Sequence, residues 1–267
     1  MPSATITSPY AVLIPARLDS TRLPNKALAD IGGIPMVIRV ANQARQSSAS
    51  LVAIATDSTE IAAVARDHGH EVVMTRSDHH SGTERLAEAV QKLELPDERI
   101  VVNVQGDEPE MPPGLIDALA RLLAQDTYYP MATAAHPVQS VDDWFNPNVV
   151  KVVADHDNRA LLFSRAPIPW NRQHLKPQDD QAQARQQAFE ETRPLRHIGI
   201  YAYRAGFLSH YASLSVCRLE QIEALEQLRV LYHGHPIKLL ITNHAPPAGI
   251  DTPDDLAAVR LRYGQHP

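Results

Sequence analysis

The chain of 267 residues has only one cysteine, Cys217. A lone cysteine excludes an intramolecular disulfide framework and is typical of a reducing compartment. Residues 1–9 show neither a basic start nor a sustained apolar segment, so we expect no signal peptide. No apolar run approaches the length of a bilayer-spanning helix. We therefore expect a cytoplasmic protein without a membrane partner.

An excess of basic residues is also missing. The 25 Lys and Arg residues are outnumbered by 31 Asp and Glu residues, and the formal net charge at pH 7 is −6. Such a surface does not favour nucleic acid, and we expect no nucleic-acid partner. Hydrophobic residues make up 44% of the chain, which is enough for a buried core. The length suits one α/β domain with an appended lobe.

The apolar pattern alternates between strand-like and helix-like stretches. In the first half it predicts strands at residues 10–14, 51–56, 71–74 and 100–104, and helices from Pro35 and at 61–68 and 112–124. This alternation predicts a mostly parallel sheet with helices on both faces. In the second half it predicts strands at 131–136, 149–154, 161–164, 197–203 and 237–242, and one helix at 219–232. Residues 171–194 are rich in Gln and charge, so we expect an insertion or a mobile arm.

Residues 14–28, which follow the first predicted strand, form a loop rich in cations and prolines. The cations are Arg17, Arg22 and Lys26. In open α/β sheets, ligands bind at the carboxyl ends of the strands. Cations held there by proline suit an anionic ligand, and a nucleotide triphosphate is the obvious one. The alternative is a solvated surface loop.

Three further positions suggest a ligand site. A second loop, residues 75–85, leads into a helix at Gly82, whose start can hold an anion or a base edge. Its adjacent histidines lack the spaced partners that zinc requires, so we expect no zinc site. Asp107 ends the fourth strand, where a carboxylate suits Mg²⁺, with an exposed turn as the alternative. Asp251 precedes the last predicted helix and, by itself, favours an N-cap role.

Seven stretches of the chain together resemble a known family. Its signature, Pro-Ala-Arg-x-x-Ser-x-Arg-x-Pro-x-Lys, matches residues 15–26, although Asn25 and Ala27 stand where the family usually has Gly and Pro. Six further matches follow in the family's order, at residues 101–109, 145–148, 163–165, 197–201, 225–229 and 251–253. The chain thus resembles the sugar nucleotidyltransferases, and among them the 3-deoxy-manno-octulosonate (Kdo) cytidylyltransferases.

The resemblance implies a Rossmann-like nucleotide-diphospho-sugar transferase fold, formed as a single domain over residues 1–267. About 10–130 would form the nucleotide-binding half, about 131–245 the sugar-binding and dimer lobe, and 246–267 a C-terminal helix returning to the metal site. The implied reaction is attack of a Kdo hydroxyl on the α-phosphorus of CTP. It gives CMP-sugar and pyrophosphate for lipopolysaccharide biosynthesis. The resemblance also implies Mg²⁺ as the cofactor and a homodimer.

The resemblance further implies roles for individual residues. The catalytic set would be Arg17, Lys26, Asp107 and Asp251, with the two aspartates as metal ligands. The nucleotide would contact Ala16, Arg17, Ser20, Lys26, Thr75, Arg76, Ser81, Gly82, Thr83 and Gln105. The sugar would contact Gln105, Arg165, His197, Tyr201, Glu226 and Gln227. Taken singly, Arg165 also suits a surface ion pair, Tyr201 a core position and Glu226 a solvated helix face.

Alternative functions stay open at this point. The substrate could be a modified relative of Kdo such as an 8-amino form, another sugar acid such as a sialic acid, or a sugar phosphate. The fold could instead serve a binding module that senses a nucleotide without turning it over. In that case Asp107 and Asp251 would not bind a metal together.

Overall fold

The computed structural model of the chain describes residues 9–18, 23–176 and 182–264. In chain order the elements are β1 (Ala11–Ala16), a 3₁₀ turn (Lys26–Leu28), β2 (Asp30–Ile31), β3 (Ile34–Pro35), α1 (Met36–Ala44), β4 (Leu51–Thr56), α2 (Thr59–Asp67), β5 (Glu71–Met74), α3 (Gly82–Lys92), β6 (Ile100–Asn103), α4 (Pro113–Gln125), β7 (Met131–Pro137), α5 (Val141–Phe145), β8 (Lys151–Ala154), β9 (Ala160–Ser164), α6 (Ala182–Thr192), β10 (Leu195–Arg204), α7 (Ala205–Tyr211), α8 (Arg218–Glu223), α9 (Gln227–Tyr232), β11 (Ile237–Ile241) and α10 (Pro253–Gly264).

The chain divides into two compact units. The first unit takes residues 1–128, 200–213 and 246–267, and the second takes 129–199 and 214–245. Strand β10 therefore begins in the second unit and ends in the first. The division of nucleotide binding and sugar binding between two halves of the chain stays a prediction.

The first unit is built on a mostly parallel sheet in the order β10–β6–β1–β4–β5. Strand β1 pairs in parallel with β4, from Ala11 opposite Leu51 to Ala16 opposite Thr56. Strands β5 and β6 are parallel to their neighbours as well, and the final residues of β10 run antiparallel to β6. Because β1, β4, β5 and β6 are parallel, their carboxyl ends lie at one edge of the sheet, where α/β proteins bind ligands.

Local sequence determines where the helices of this unit begin. Ser58 caps α2 and Ser81 caps α3, because each side chain accepts a hydrogen bond from a backbone N–H of the first turn. Helix α4 begins with Pro113. Proline has no backbone N–H, but the first N–H groups of a helix have no partner within the helix, so the helix loses no hydrogen bond there. Among the described residues, no helix is long and apolar enough to cross a membrane.

The second unit contains β7, β8, β9, β11 and the first residues of β10. Strand β11 pairs in parallel with β7, whereas β8 is antiparallel to both β9 and β10. Lys151, the first residue of β8, therefore lies opposite Ser164 on one side and Arg196 on the other. This register brings the turn before β8 next to the end of β9.

The single helix predicted at residues 219–232 is wrong. Helices α8 and α9 occupy this stretch, and between them Ala224 has a left-handed backbone with a φ of 50°. The apolar spacing did not reveal the break, because that spacing continues across Ala224. Only part of the predicted apolar face is buried: Leu225 is buried, whereas Leu219 and Ile222 are exposed.

The expectation that residues 171–194 cannot order themselves is wrong for the described part of that segment, while 177–181 lie outside the described residues. Helix α6 forms there, and Leu175 and Ala188 are both buried in a cluster with Trp144. The segment is polar in composition, yet its few apolar side chains pack against the indole of Trp144, and this packing orders it. The composition of a segment does not reveal an apolar partner elsewhere in the chain.

Candidate active site

Lys26 joins the two carboxylates that were predicted to hold a metal. Its Nζ donates hydrogen bonds to Asp107 Oδ2 at 2.6 Å and to Asp251 Oδ1 at 3.1 Å. Both oxygens therefore lie within reach of one ammonium, although Lys26 and Asp251 are 225 residues apart in the chain. The structure thus brings three of the four predicted catalytic residues together in the first unit.

Two backbone features hold this arrangement. Gly106 comes so close to the end of β1 that a Cβ there would lie 2.8 Å from the Pro15 carbonyl oxygen, which only a glycine avoids. The Asp107 carbonyl accepts a hydrogen bond of 2.9 Å from the Ile250 N–H, which ties the segment before α10 to the turn after β6. Asp251 therefore reaches the site from the far end of the chain.

Thr252, rather than Asp251, caps α10. The Thr252 hydroxyl accepts a hydrogen bond of 3.2 Å from the Asp255 N–H, and the Asp255 carboxylate accepts one of 2.8 Å from the Thr252 N–H. This reciprocal pair is a capping box. The N-cap interpretation of Asp251 is therefore wrong, and its carboxylate pairs with Lys26 instead.

The charges of this cluster support one another. Burial opposes the charge on Lys26, but the carboxylates of Asp107 and Asp251 outweigh it and raise the pKa of Lys26 above its ordinary value. Lys26 is therefore an ammonium at physiological pH. The Lys26 side chain is 17% exposed and that of Asp251 is 47% exposed, so an anionic ligand has access to the cluster from solvent.

The donor set fits Mg²⁺. Carboxylate oxygens are hard ligands, and Mg²⁺ commonly takes one or two of them together with water and substrate phosphates. Within the part of the chain that the structure describes, no group of three or more His, Cys, Asp or Glu side chains is arranged to hold a metal. A metal held by Asp107 and Asp251 would therefore draw further ligands from the nucleotide.

The departure from the family signature at Asn25 keeps the geometry that glycine would allow. Asn25 has a φ of 55°, in the left-handed region that glycine adopts freely and Asn tolerates better than most residues. It directly precedes the 3₁₀ turn that carries Lys26. The substitution is therefore compatible with the position of the lysine.

The other predicted residues of this loop differ in what the structure describes. Ala16 ends β1 and is buried, and Arg17 follows it as an exposed side chain. Ser20 and Arg22 lie outside the described residues. Their contacts with a nucleotide stay predictions.

The start of α3 lies beside the ends of β1 and β6. A Cβ placed on Gly82 would lie 3.3 Å from Pro15 Cγ and 4.0 Å from Gln105 Oε1. Thr83 is buried, with its hydroxyl 3.5 Å from that of Tyr203. Helix-start N–H groups and the Gln105 amide therefore share one edge of the sheet, where they can bind an anion or a base edge.

A buried arginine that the sequence analysis missed, Arg85, holds the loop before α3. Its side chain donates to the Thr75 hydroxyl at 2.5 Å and pairs with Asp57 at 3.2 Å. Thr75 is therefore a buried anchor of the loop, whereas Arg76 is exposed and pairs with Asp78. The only signal for Arg85 in the sequence was its place at the end of the loop at residues 75–85, because its partner Asp57 follows a different strand.

In the second unit, Arg165 is held by backbone carbonyls. Its Nε donates to the Glu223 carbonyl at 2.7 Å, and its Nη1 donates to the Pro147 carbonyl at 3.0 Å. The Arg165 N–H donates to the Glu223 carboxylate at 2.9 Å. No salt bridge joins the Arg165 guanidinium to a carboxylate of the described residues, so the surface ion-pair alternative is wrong for them. The guanidinium thus keeps a positive charge that suits an anion.

His197 lies on β10 in the second unit. Its Nε2 is 2.9 Å from the Thr133 hydroxyl, and its ring packs edge-on against Phe163. Burial lowers the pKa of His197 to about 3, so the ring is neutral at physiological pH. The neutral ring has one donor and one acceptor nitrogen for hydrogen bonds with hydroxyl groups, but it carries no positive charge to pair with a carboxylate.

The remaining predicted sugar residues are divided between the two units. Gln227 is the first residue of α9 in the second unit, and Glu226 directly precedes it, so neither lies inside the one long helix that was predicted. Gln227 is almost completely buried, and Glu226 is half-buried. Tyr201 is half-buried and belongs to the first unit, as does Gln105.

The chain is similar to known cytidylyltransferases over most of its length. A family model described as cytidylyltransferase matches residues 11–239. The 3-deoxy-manno-octulosonate cytidylyltransferase of Herminiimonas arsenicoxydans is 56% identical over 256 residues, which cover 96% of this chain and 99% of that protein. The protein of the same name from Neisseria meningitidis serogroup A is 55% identical over 254 residues, covering 95% of this chain and 98% of that one.

A solved structure gives the same result. The structure of CMP:2-keto-3-deoxy-manno-octonic acid synthetase complexed with CTP is 38% identical, with a TM-score of 0.85, and covers 97% of this chain and 99% of that chain. The predicted α/β fold with a mostly parallel sheet is confirmed. The chain belongs to the 3-deoxy-manno-octulosonate cytidylyltransferases, a family of nucleotidyltransferase enzymes.

Proposed function

We propose that this chain activates Kdo by transferring the cytidylyl group of CTP to it, with release of pyrophosphate. The observation that carries the proposal is the convergence of Lys26, Asp107 and Asp251 at the carboxyl edge of a parallel sheet. An ammonium beside two carboxylates suits a triphosphate with its divalent cation. The relatives named for this reaction are similar over nearly the whole chain.

In the proposed reaction, a Kdo hydroxyl attacks the α-phosphorus of CTP, and the bond from that phosphorus to the pyrophosphate oxygen breaks. Little covalent chemistry falls to the protein, so positioning and charge neutralisation carry the catalysis. Lys26 and Arg17 would hold the triphosphate, with Arg17 able to grip two oxygens through its planar guanidinium. Mg²⁺ held by Asp107 and Asp251 would neutralise phosphate charge and lower the pKa of the attacking hydroxyl.

We assign recognition of the sugar acid to the residues that the family resemblance implies: Gln105, Arg165, His197, Tyr201, Glu226 and Gln227. Arg165 offers its charge to the carboxylate, and the neutral His197 and the buried Gln227 offer hydrogen bonds to hydroxyl groups. A site whose polar groups pair with those of its substrate can reject an analogue lacking them by about 10⁴-fold.

A substrate panel tests the proposed function. Pyrophosphate release is measured with CTP, and with the other nucleoside triphosphates, against Kdo, its 8-amino relative, a sialic acid and a sugar phosphate. We expect release with CTP and Kdo. Release with the 8-amino relative or a sialic acid in place of Kdo would correct the substrate, and CTP binding without any release would favour a nucleotide-sensing module.

Replacing either carboxylate tests the metal site. Asp107→Asn and Asp251→Asn should each lower turnover at least about a hundredfold, which corresponds to roughly 3 kcal/mol of transition-state stabilisation. Asp254→Asn is the matched control, because Asp254 is an exposed carboxylate in the first turn of α10. Near-normal turnover of either purified variant would remove that residue from the metal site.

We also propose a homodimer that forms through the second unit. Of the ten large hydrophobic side chains exposed among the described residues, eight belong to that unit: Leu161, Leu162, Trp170, Val216, Leu219, Ile222, Tyr232 and Ile241. Exposed apolar surface of this kind marks interaction sites. Light scattering at micromolar concentration should give a mass near twice 29.5 kDa, and a mass near that of one chain would refute the dimer.

We place the reaction in the cytoplasm. CTP is a cytoplasmic nucleotide, and Cys217 is a buried free thiol, as suits a reducing compartment. In cell fractionation the protein should follow a cytosolic marker. Recovery with periplasmic markers would contradict this placement.

A further inference from the structure

Lys151 is a completely buried lysine that neither the sequence pattern nor the family motifs singled out. Its Nζ donates hydrogen bonds to three backbone carbonyls, those of Asn146 at 2.9 Å, Val149 at 2.5 Å and Arg165 at 2.7 Å. It forms no salt bridge with a carboxylate of the described residues. An ammonium has three N–H groups, and here each has a carbonyl partner.

The three carbonyls belong to two segments that are separated in the chain by β8 and β9. Asn146 and Val149 flank the turn before β8, whereas Arg165 directly follows β9. Lys151 lies opposite Ser164 in the β8–β9 register, which places its side chain near the end of β9. The ammonium therefore joins the turn at residues 146–149 to the backbone of Arg165.

The turn at residues 146–149 and the end of α8 together determine where the Arg165 guanidinium points. Its Nη1 donates to the carbonyl of Pro147, which lies inside the turn that Lys151 holds. Its Nε donates to the carbonyl of Glu223, whose carboxylate accepts hydrogen bonds from the Ser164 hydroxyl at 2.6 Å and the Arg165 N–H. Lys151 thus acts on Arg165 in two ways, through its carbonyl and through the turn that holds its side chain.

We propose that Lys151 is a positioning residue for the sugar acid: it fixes the turn at 146–149 and the Arg165 backbone so that the Arg165 guanidinium faces the substrate carboxylate. The proposal rests on the proposed function, because it takes Arg165 as the partner of that carboxylate. Lys151 itself need not touch the sugar. A buried lysine that donates only to backbone carbonyls acts by fixing the positions of the segments that carry those carbonyls.

The ammonium form is required for this role. Burial lowers the pKa of Lys151 to about 8, with Glu223 and Asp143 acting to raise it and Arg165 and Arg196 acting to lower it. Above that pH the neutral amine has one N–H fewer, and one of the three carbonyls loses its partner. The hydrogen bonds that position Arg165 should therefore weaken as the solution becomes alkaline. The nucleotide site in the first unit does not depend on the charge of Lys151.

Steady-state kinetics of pyrophosphate release test the proposal through the split between the two KM values. Lys151→Met keeps the length of the side chain and removes the donors. We expect it to raise the KM for Kdo at least about tenfold, since hydrogen bonds to a charged group are each worth about that much, with the KM for CTP within about twofold. Lys238→Met is the matched control, because Lys238 also donates to a backbone carbonyl of the second unit, that of Asp157, but at an exposed position.

The pH profile supplies a second measurement, which stands even if Lys151→Met does not fold. In the wild-type chain the KM for Kdo should rise above a pH of about 8. In Glu223→Gln the rise should begin at lower pH, because the Glu223 charge supports the ammonium. The KM for CTP serves as the internal reference in both proteins.

Distinct results would overturn the proposal. A folded Lys151→Met variant with an unchanged KM for Kdo would overturn it, as would an equal rise in both KM values, which indicates a merely structural role. A KM for Kdo that stays flat to pH 9.5, or a profile that Glu223→Gln leaves in place, would also overturn it. If the wild-type chain released no pyrophosphate from CTP and Kdo, the proposed function would fail first, and the panel experiment above would show this separately.

Discussion

Replacing Gly106 by alanine should disturb the candidate active site through the backbone alone. The added Cβ would lie 2.8 Å from the Pro15 carbonyl oxygen, whereas ordinary contacts of this kind begin at 3.4 Å. Because the opposing atom is backbone, the turn after β6 and the end of β1 must separate by roughly half an ångström. Overpacking of this kind costs about 1–3 kcal/mol of stability.

The separation should also lower activity, because Asp107 follows Gly106 directly and its carboxylate lies 2.6 Å from Lys26. Misplacing a reacting group by about 1 Å can cost a hundredfold in rate, so we expect Gly106→Ala to lower kcat/KM at least about tenfold. Pyrophosphate release measures the rate, and urea unfolding measures the free energy of unfolding.

Gly114→Ala is the control for this experiment. Gly114 lies in α4 with open space where a Cβ would stand, so alanine should keep full activity and add about 1 kcal/mol of stability through helix propensity. If Gly106→Ala kept both wild-type kcat/KM and wild-type stability, the argument from close backbone approach would be refuted. Equal losses in the two variants would refute it as well.

Two further predictions concern stability. The ring nitrogens of His70 are buried without a hydrogen-bond partner among the described residues, and burial lowers the pKa of His70 to about 4 from an ordinary 6.5. The folded state therefore binds fewer protons, and the stability present above pH 6.5 is lost as the pH falls towards 4. Relative to wild type, His70→Phe should gain roughly 2 kcal/mol more in urea unfolding at pH 5 than at pH 8, and a pH-independent difference would contradict this. The buried Glu220–Arg229 pair is joined by hydrogen bonds of 2.7 and 2.8 Å, so Glu220→Gln should cost about 3 kcal/mol of stability. Asp78→Asn, at the exposed pair with Arg76, should change the stability much less, because solvent screens that pair. Equal costs would show that burial does not set the strength of these pairs.

Much of the fold could be predicted because its parallel strands consist mainly of apolar residues. The predicted runs at residues 51–56 and 71–74 coincide with β4 and β5, and Ser58 caps the helix between them as its residue type suggests. The break at Ala224 could not be predicted, since apolar spacing continues across it. A left-handed backbone at an alanine leaves no mark in the residue pattern.

The candidate site was only partly predictable for a different reason. Asp107 carries a local signal, its place at the end of a strand, but the meeting of Asp251 with Lys26 is a long-range event that only the family resemblance implied. Lys151 and Arg85 were missed because, in a sequence, a buried charge looks like a surface charge. Their partners are backbone carbonyls or distant side chains, and neither kind of partner has a motif.

The division of the first unit into three stretches of chain, the last beginning at residue 246, has a consequence for biosynthesis. A chain leaving the ribosome presents its N-terminal part first, so Lys26 and Asp107 emerge long before Asp251. Contacts between such distant residues also form slowly, because a long loop must close before the contact can form. The cluster of Lys26, Asp107 and Asp251 can therefore form only after residue 251 has left the ribosome. A chain released before residue 251 would carry most of the sheet, yet it would lack one of the two carboxylates that meet at Lys26.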